Sequence, residues 1–155
     1  MDLTDYKILA CLKENARQNA TEIGAKINLS TSAVIERIKK MENAGYIEQY
    51  TVLLNRNLLG KDLMAFVYLR LEHPKFYENF VDVIKAHNEV SECYYIAGDF
   101  DFILKVVADK TKGLERVLND IKSINGVSLT RTSVVLSTDK CDVCLLPDDE
   151  INFKN

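Results

Sequence analysis

The N-terminal third of the chain places apolar residues at the spacing of an α-helix. Three apolar residues within residues 5–13 share one side of a predicted first helix. A second helix is predicted from Asn19, because Glu22 follows three residues later and completes a capping-box pattern. Asn28, which follows this helix, tolerates the left-handed conformation of a tight turn. These signals predict two short helices followed by a sharp turn.

The stretch LSTSAVIERIKK (29–40) predicts a third helix with two different sides. Ser30 is a strong N-cap for a helix over residues 31–43, and Gly45 ends it. The apolar stripe consists of Val34, Ile38 and Met41, and the opposite side carries Ser32, Glu36, Lys39 and Asn43. Two helices, a three-residue turn and a polar-faced helix are the arrangement of a helix-turn-helix.

Beyond residue 61 the pattern predicts a second domain with strands and helices. Residues 65–72 alternate between apolar and polar positions, which is typical of a strand. Further strands are predicted at 91–97, 102–108 and 130–137, with helices beginning at Pro74 and spanning the apolar stripe from Leu114 to Ile124. The order βαββαβ predicts a ferredoxin-like unit, so the fold class is α+β.

The predicted strands carry apolar residues on both faces. Leu69 lies on one face of the first strand, for example, and Tyr68 on the other. Both helices of a ferredoxin-like unit cover the same face of the sheet, so the other face would be polar in a monomer. We therefore expect a second subunit to cover the helix-free face and the protein to form a homodimer.

The predicted elements divide the chain into parts with different roles. We expect a helix-turn-helix domain at 1–48, a β linker at 49–61, a ferredoxin-like domain at 62–140 and a tail at 141–155. The linker prediction depends on the β-forming residues of YIEQYTVLL, which follow Gly45. The chain has no apolar run long enough for a membrane span, and its acidic N-terminus is unlike a secretory signal. A cytoplasmic protein is expected.

The charge balance limits how the protein could bind nucleic acid. The net charge is −3, and residues 1–50 contain seven basic and seven acidic side chains. The chain as a whole is therefore not a basic DNA-binding surface. Binding to double-stranded DNA would require a local basic patch and is favoured by assembly into an oligomer.

Several segments resemble the Lrp/AsnC, or feast/famine, regulators, most closely their leucine-responsive branch. The segments are DLTDYKIL, LSTSAVIERIKKMENAGYIEQY, GDFDFILKV and GVSLTRTSVVL, spread over about residues 2–138. Two features depart from the family: Asn28 stands where many members have Gly, and the tail matches no family pattern. The resemblance implies a regulator that binds DNA as a dimer, often as an octamer. It also implies an effector, usually a free amino acid, bound at subunit interfaces of the C-terminal domain.

The third helix provides the candidate DNA contacts. Its small hydroxyl residues suit phosphates or base edges, Ile35 suits a thymine methyl group, and its basic residues suit phosphates. Glu36 could accept a hydrogen bond from cytosine, or it could pair with Lys40 within the helix. Arg37 lies nearer the apolar stripe, so a structural ion pair is its alternative role. The full candidate set is Ser30, Thr31, Ser32, Ile35, Glu36, Arg37, Lys39 and Lys40.

The segment GDFD (Gly98, Asp99, Phe100 and Asp101) is the candidate effector site. A simple hairpin turn also explains it, because Gly98 supplies a positive φ and Asp99 can bond its own backbone. The resemblance favours a functional role, in which turn amides bind an amino acid's carboxylate and an aspartate binds its ammonium group.

Other chemistry is only weakly indicated. Cys141 and Cys144 form one C-x-x-C pair, but an extended strand would point them in opposite directions, which disfavours a metal site or a disulfide. No nucleophile–base pair or phosphate loop suggests an enzyme, and no cofactor is expected. A sirohaem-decarboxylase-like enzyme of the same layout and a DNA-organising protein with little sequence preference remain alternatives to a regulator.

Overall fold

The structure, a computed structural model, describes residues 1–146 and divides the chain into two compact units. The first unit contains residues 1–53 together with residues 140–146, and the second contains residues 54–139. No helix among the described residues has the length and apolar character needed to cross a membrane.

Three helices form the first unit, as the hydrophobic pattern predicted. They are α1 (Leu3–Glu14), α2 (Ala20–Ile27) and α3 (Thr31–Asn43). Their core consists of Ile8, Cys11, Ile23, Val34 and Met41. Each helix therefore buries one apolar side against the other two and leaves its remaining surface exposed.

Side-chain caps explain where these helices begin. The predicted capping box at Asn19 and Glu22 is present, and a second one joins Asp2 to Asp5 at the start of α1. Asn28 has φ 58°, which confirms that an asparagine supplies the left-handed residue of the turn. Asn28 therefore forms the short turn that leads from α2 into α3.

The second unit is an antiparallel sheet with two helices, which confirms the βαββαβ order. The strands are β1 (Leu63–Leu71), β2 (Val90–Tyr95), β3 (Phe102–Ala108) and β4 (Val127–Val134), in the spatial order β2-β3-β1-β4. A 3-10 turn at Pro74–Phe76 leads into α4 (Tyr77–Lys85), and α5 (Thr111–Lys122) joins β3 to β4.

The core of this unit lies between the sheet and its helices. Phe80 and Ile84 from α4 and Val117 and Ile121 from α5 pack against the sheet's covered face. The sheet contributes Ala65, Val67, Leu69, Phe102, Leu104, Val106 and Ala108. The intervening residues of β1 and β3 lie on the opposite face, which we call the helix-free face.

The predicted β linker at 49–61 is not a strand in the described chain. Residues 48–55 have no regular structure, and residues 56–60 form a turn. Asn55 starts this turn, because its side-chain oxygen accepts hydrogen bonds from the backbone N–H groups of Asn57 and Leu58. A strand needs a neighbouring strand for its backbone hydrogen bonds, and no other described segment pairs with this one. The part of the single chain that the structure describes offers this segment no partner strand, and the β linker stays a prediction.

Candidate DNA-binding surface and effector loop

The N-terminus of α3 presents three small hydroxyl side chains to solvent. Ser30 caps the helix, because its Oγ accepts a hydrogen bond from the backbone N–H of Ala33 at 3.3 Å. The same Oγ lies 3.2 Å from Oγ of Ser32, and Oγ1 of Thr31 lies 3.3 Å from that of Thr21 on α2. The hydroxyls are exposed at the positive end of a helix, where phosphate groups bind favourably.

The exposed side of α3 combines one apolar residue with charged ones. Ile35 is 43% exposed although Val34 beside it is fully buried. Glu36, Lys39 and Lys40 are exposed on the same surface and line a shallow groove together with Asn43 and Ala44. In the described chain, no ion pair joins Glu36 to Lys40 within 4.0 Å. These charges are therefore available to an external partner.

Arg37 occupies a different environment from the other basic residues of α3. Its Nη1 lies 2.8 Å from Oδ2 of Asp2 and 2.7 Å from Oδ1 of Asp5, at the start of α1. The hydrogen bond from Arg37, followed by the one from the Asp5 backbone N–H, lowers the pKa of Asp2. The same two carboxylates raise the pKa of Arg37. This geometry corresponds to the structural ion pair that the sequence left as the alternative role of Arg37.

Asp5 contacts both the start of α1 and the Arg37 guanidinium, a role that the sequence did not predict. Its side chain is 11% exposed, and it accepts from both the Asp2 backbone N–H and the Arg37 guanidinium. The spacing of Asp2 and Asp5 is itself a capping-box signal, which could have identified the pair. Its contact with α3 depends on helix packing and is not visible from spacing.

The GDFD loop is held against β1 by both of its aspartates, in different ways. Gly98 has φ 147°, which confirms the predicted positive φ. The backbone carbonyl of Asp99 accepts hydrogen bonds from the Arg70 guanidinium, including Nε at 3.0 Å. The Asp101 carboxylate accepts from the backbone N–H of Leu71 at 2.7 Å. Arg70 could not be predicted from the sequence, because only the strand register brings it beside this loop.

Asp101 also borders a mainly apolar cavity of about 320 Å³. The other lining residues are Leu71, Pro74, Tyr77 and Tyr95. The rings of Tyr77 and Tyr95 meet edge to face, with centroids 5.2 Å apart. The cavity therefore offers one carboxylate beside an aromatic and aliphatic wall.

Phe100, between the two aspartates, points to the helix-free face. Its ring centroid lies 5.7 Å from that of Tyr68. The Arg131 guanidinium lies over both rings, 4.9 Å from the centroid of Tyr68 and 4.8 Å from that of Phe100. The four residues of the loop therefore contact both faces of the sheet.

Residues 1–146 contain no group of three or more His, Cys, Asp or Glu side chains arranged to hold a metal ion. Cys11 is buried in the helical core, whereas Cys93, Cys141 and Cys144 are exposed.

A helix with an exposed polar side in one unit and a ligand-sized cavity in the other are typical of a DNA-binding transcription regulator with a separate ligand-binding domain. Residues 1–48 match a family described as winged helix-turn-helix DNA-binding. Residues 64–143, more than half of the chain, match the Lrp/AsnC ligand binding domain. The chain belongs to the Lrp/AsnC family of transcriptional regulators. The family comprises regulators of transcription, which sets aside the enzyme alternative.

Individual relatives agree with this assignment. The leucine-responsive regulatory protein of Escherichia coli K12 is 32% identical over 139 residues, covering 88% of this chain and 85% of its own. A transcriptional regulator from Neisseria meningitidis, solved as a complex with L-methionine, is 30% identical with a TM-score of 0.90 and covers 94% of this chain and 96% of its own. A feast or famine regulatory protein from M. tuberculosis, also complexed with L-methionine, is 27% identical with a TM-score of 0.86 and covers 94% and 99%.

Proposed function

We propose that the protein binds specific DNA sequences through α3 and adjusts this binding in response to an apolar amino acid. One observation supports the proposed DNA-binding surface. On the side of α3 opposite its buried stripe, the apolar Ile35 is exposed together with Glu36, Lys39 and Lys40. A regulator of this kind acts where the chromosome is, so we propose a cytoplasmic location.

The candidate residues of α3 and its N-cap have different proposed roles. Lys39 and Lys40 neutralise phosphates, and the hydroxyls of Ser30, Thr31 and Ser32 donate to phosphates or base edges. Ile35 contacts a thymine methyl group, and Glu36 accepts from a cytosine amino group. Arg37 positions α3 against α1 through its ion pair and does not contact DNA directly.

The salt dependence of DNA binding tests the phosphate contacts. Lys40→Ala removes one of them, so the slope of log affinity against log salt should become shallower by about 0.9. The matched control is Lys122→Ala, an exposed lysine in the other unit, for which we expect an unchanged slope. An unchanged slope for Lys39→Ala and Lys40→Ala would exclude α3 as the phosphate-binding element. A ratio of specific to non-specific affinity near one would instead indicate a DNA-organising protein.

The cavity beside Asp101 is the proposed effector site. One carboxylate oxygen of Asp101 accepts from the Leu71 backbone, and the other is available to an ammonium group. Tyr77 and Tyr95 provide an apolar wall for the ligand's side chain, and the turn amides around Gly98 bind its carboxylate. Two solved relatives hold L-methionine, which supports an amino acid with an apolar side chain.

Calorimetry with L-methionine and the other common amino acids tests this site. Asp101→Asn keeps an oxygen to accept from the Leu71 N–H but removes the negative charge. A hydrogen bond to a charged group is worth about 1.5–3 kcal/mol, so affinity should fall roughly ten- to a hundredfold. Asp99→Asn is the matched control, because Asp99 holds Arg70 through its backbone carbonyl. Wild-type affinity in Asp101→Asn would show that the cavity is not the effector site.

We also propose that the protein is a homodimer joined through the helix-free face, with octamers built from dimers. This face carries Tyr94 and Leu129, which are 51% and 49% exposed. It also carries Phe66, Ile103 and Val107, which are partly exposed in the single chain. A second copy of the same face would remove this apolar surface from water.

A further inference from the structure

The C-terminal tail contacts the three-helix unit through a residue that lies between two cysteines. Nζ of Lys13, in the last turn of α1, lies 2.9 Å from Oδ2 of Asp142. Cys141 and Cys144 flank Asp142, and both thiols are exposed. Residues 140–146 belong to the same compact unit as α1. The one C-x-x-C of the sequence therefore lies where the tail meets the DNA-binding unit.

The tail bends between the two cysteines. The backbone N–H of Cys144 donates to Oδ1 of Asp142 at 3.2 Å, and the chain bends at Val143. A side chain that accepts from the N–H two residues later imitates a backbone turn. An extended strand, which would point the two thiols in opposite directions, is absent from residues 141–144. The bend at Val143 shortens the span from Cys141 to Cys144 relative to an extended strand, and a disulfide can form once their Cα atoms lie within about 7 Å.

We propose that Cys141 and Cys144 form a reversible disulfide that fixes the tail in the bend that pairs with Lys13. A low-molecular-weight disulfide such as oxidised glutathione is the oxidant. One cysteine thiolate attacks it, forms a mixed disulfide and releases one small thiol. The second thiolate attacks the mixed disulfide, closes the Cys141–Cys144 bond and releases the second small thiol. The two cysteine protons end on the released thiols, and the two electrons reduce the oxidant.

The contact between the tail and α1 is weak, so the redox state of Cys141 and Cys144 can change how often it forms. Lys13 and Asp142 are each 35% exposed, and an exposed ion pair of this kind favours the closed arrangement by no more than about fivefold. The reduced tail therefore leaves α1 readily. The disulfide removes conformations in which the bend is open and so increases the time that Asp142 spends beside Lys13.

Mass spectrometry of the full-length protein tests the bond itself. The protein is equilibrated in buffers of increasing oxidised-to-reduced glutathione ratio, alkylated and digested with trypsin. Cleavage after Lys140 and Lys154 releases residues 141–154, which contain both tail cysteines and no other. As the ratio of oxidised to reduced glutathione rises, we expect this peptide to escape alkylation and to weigh two hydrogen atoms less than the free dithiol. In Cys141→Ser and Cys144→Ser a glutathione adduct should replace that loss, whereas Cys93→Ser should behave as wild type.

Two results of this titration would overturn the proposal. One is a tail that carries only glutathione adducts or pairs with Cys93. The other is a stoichiometric zinc ion that protects both thiols from alkylation, which would make the pair a metal site.

The ion pair provides the test of coupling. If the disulfide favours the contact with Lys13, the contact must favour the disulfide by the same factor. Lys13→Met should therefore lower the equilibrium constant for disulfide formation by up to about fivefold. Lys7→Met, on the same helix, is the matched control and should leave it unchanged. Equal constants in wild type and Lys13→Met would show that the tail cysteines do not control the contact.

Discussion

Replacing Arg37 with methionine distinguishes the two roles open to a basic residue on α3. Methionine keeps much of the aliphatic stem but donates no hydrogen bond to Asp2 or Asp5. Most of the expected loss comes from Asp5, because its carboxylate is only 11% exposed and loses its cationic partner. A hydrogen bond between charged groups contributes about 1.5–3 kcal/mol, and the 34% exposure of Arg37 reduces this value. We expect the free energy of unfolding of the N-terminal unit to fall by about 1.5 kcal/mol.

The pH dependence of this difference provides a second measurement. The Arg37 hydrogen bond holds the pKa of Asp2 below its ordinary value of 3.8. A carboxyl group with a depressed folded pKa stabilises the fold above its unfolded pKa, and this contribution is lost as the pH falls through the folded pKa. The part of the stability difference that comes from Asp2 should therefore be full near neutral pH and decrease below pH 3.8.

Urea unfolding followed by helical circular dichroism measures the stability, and a salt titration of DNA binding measures the phosphate contacts. The Arg37→Met variant should be less stable than wild type, and its slope of log DNA affinity against log salt should be unchanged. Lys40→Met is the same replacement on the same helix. It should leave stability unchanged and make the slope of log DNA affinity against log salt shallower by about 0.9. The opposite result for Arg37→Met, full stability with a shallower slope, would refute the structural role of Arg37.

Two further replacements test the turn after α2 and the proposed dimer interface. Gly24→Ala should destabilise the N-terminal unit by about 1–3 kcal/mol in urea unfolding, because the added Cβ would lie 2.5 Å from the Leu29 carbonyl oxygen. This loss should exceed the gain from the better helix propensity of alanine. Unchanged stability would mean that the turn after α2 can shift at little cost. Leu129→Lys should raise the dimer dissociation constant at least tenfold in analytical ultracentrifugation. The control is Leu136→Lys, at a residue that is 98% exposed, and it should leave this constant unchanged. Equal dimerisation of both variants would place the interface elsewhere.

The sequence predicted those elements whose boundaries have local causes. Strand β3 was predicted with its observed limits of 102 and 108, because its run of apolar, β-forming residues is bounded by Asp101 and Asp109. The last strand was predicted at 130–137 but spans Val127–Val134. Its start is set by the turn at Gly126, with φ 91°, and by pairing of Val127 with Leu71. Neither the register nor the pairing can be deduced from one strand's composition.

The candidate sites show the same limit. The residue types on α3 and in GDFD were sufficient to nominate them, because helix periodicity and turn chemistry are local. The partner of Arg37 depends on how α1 packs against α3, and the role of Asp101 depends on the register that places Leu71 beside it. The β linker at 49–61 stays a prediction for a related reason, because a strand needs a partner strand for its backbone hydrogen bonds.

Phe100 gives the proposed effector site a physical connection to the proposed dimer interface. It precedes Asp101 in the loop, and its ring shares the Arg131 guanidinium with Tyr68. Tyr68 lies opposite Arg131 and Ile103 in the sheet register, so this cluster belongs to the helix-free face. A ligand that moves the backbone at Asp101 therefore also displaces a ring on the surface that a second subunit would cover. An effector bound more tightly in one arrangement of this ring would shift the dimer equilibrium by that difference in affinity.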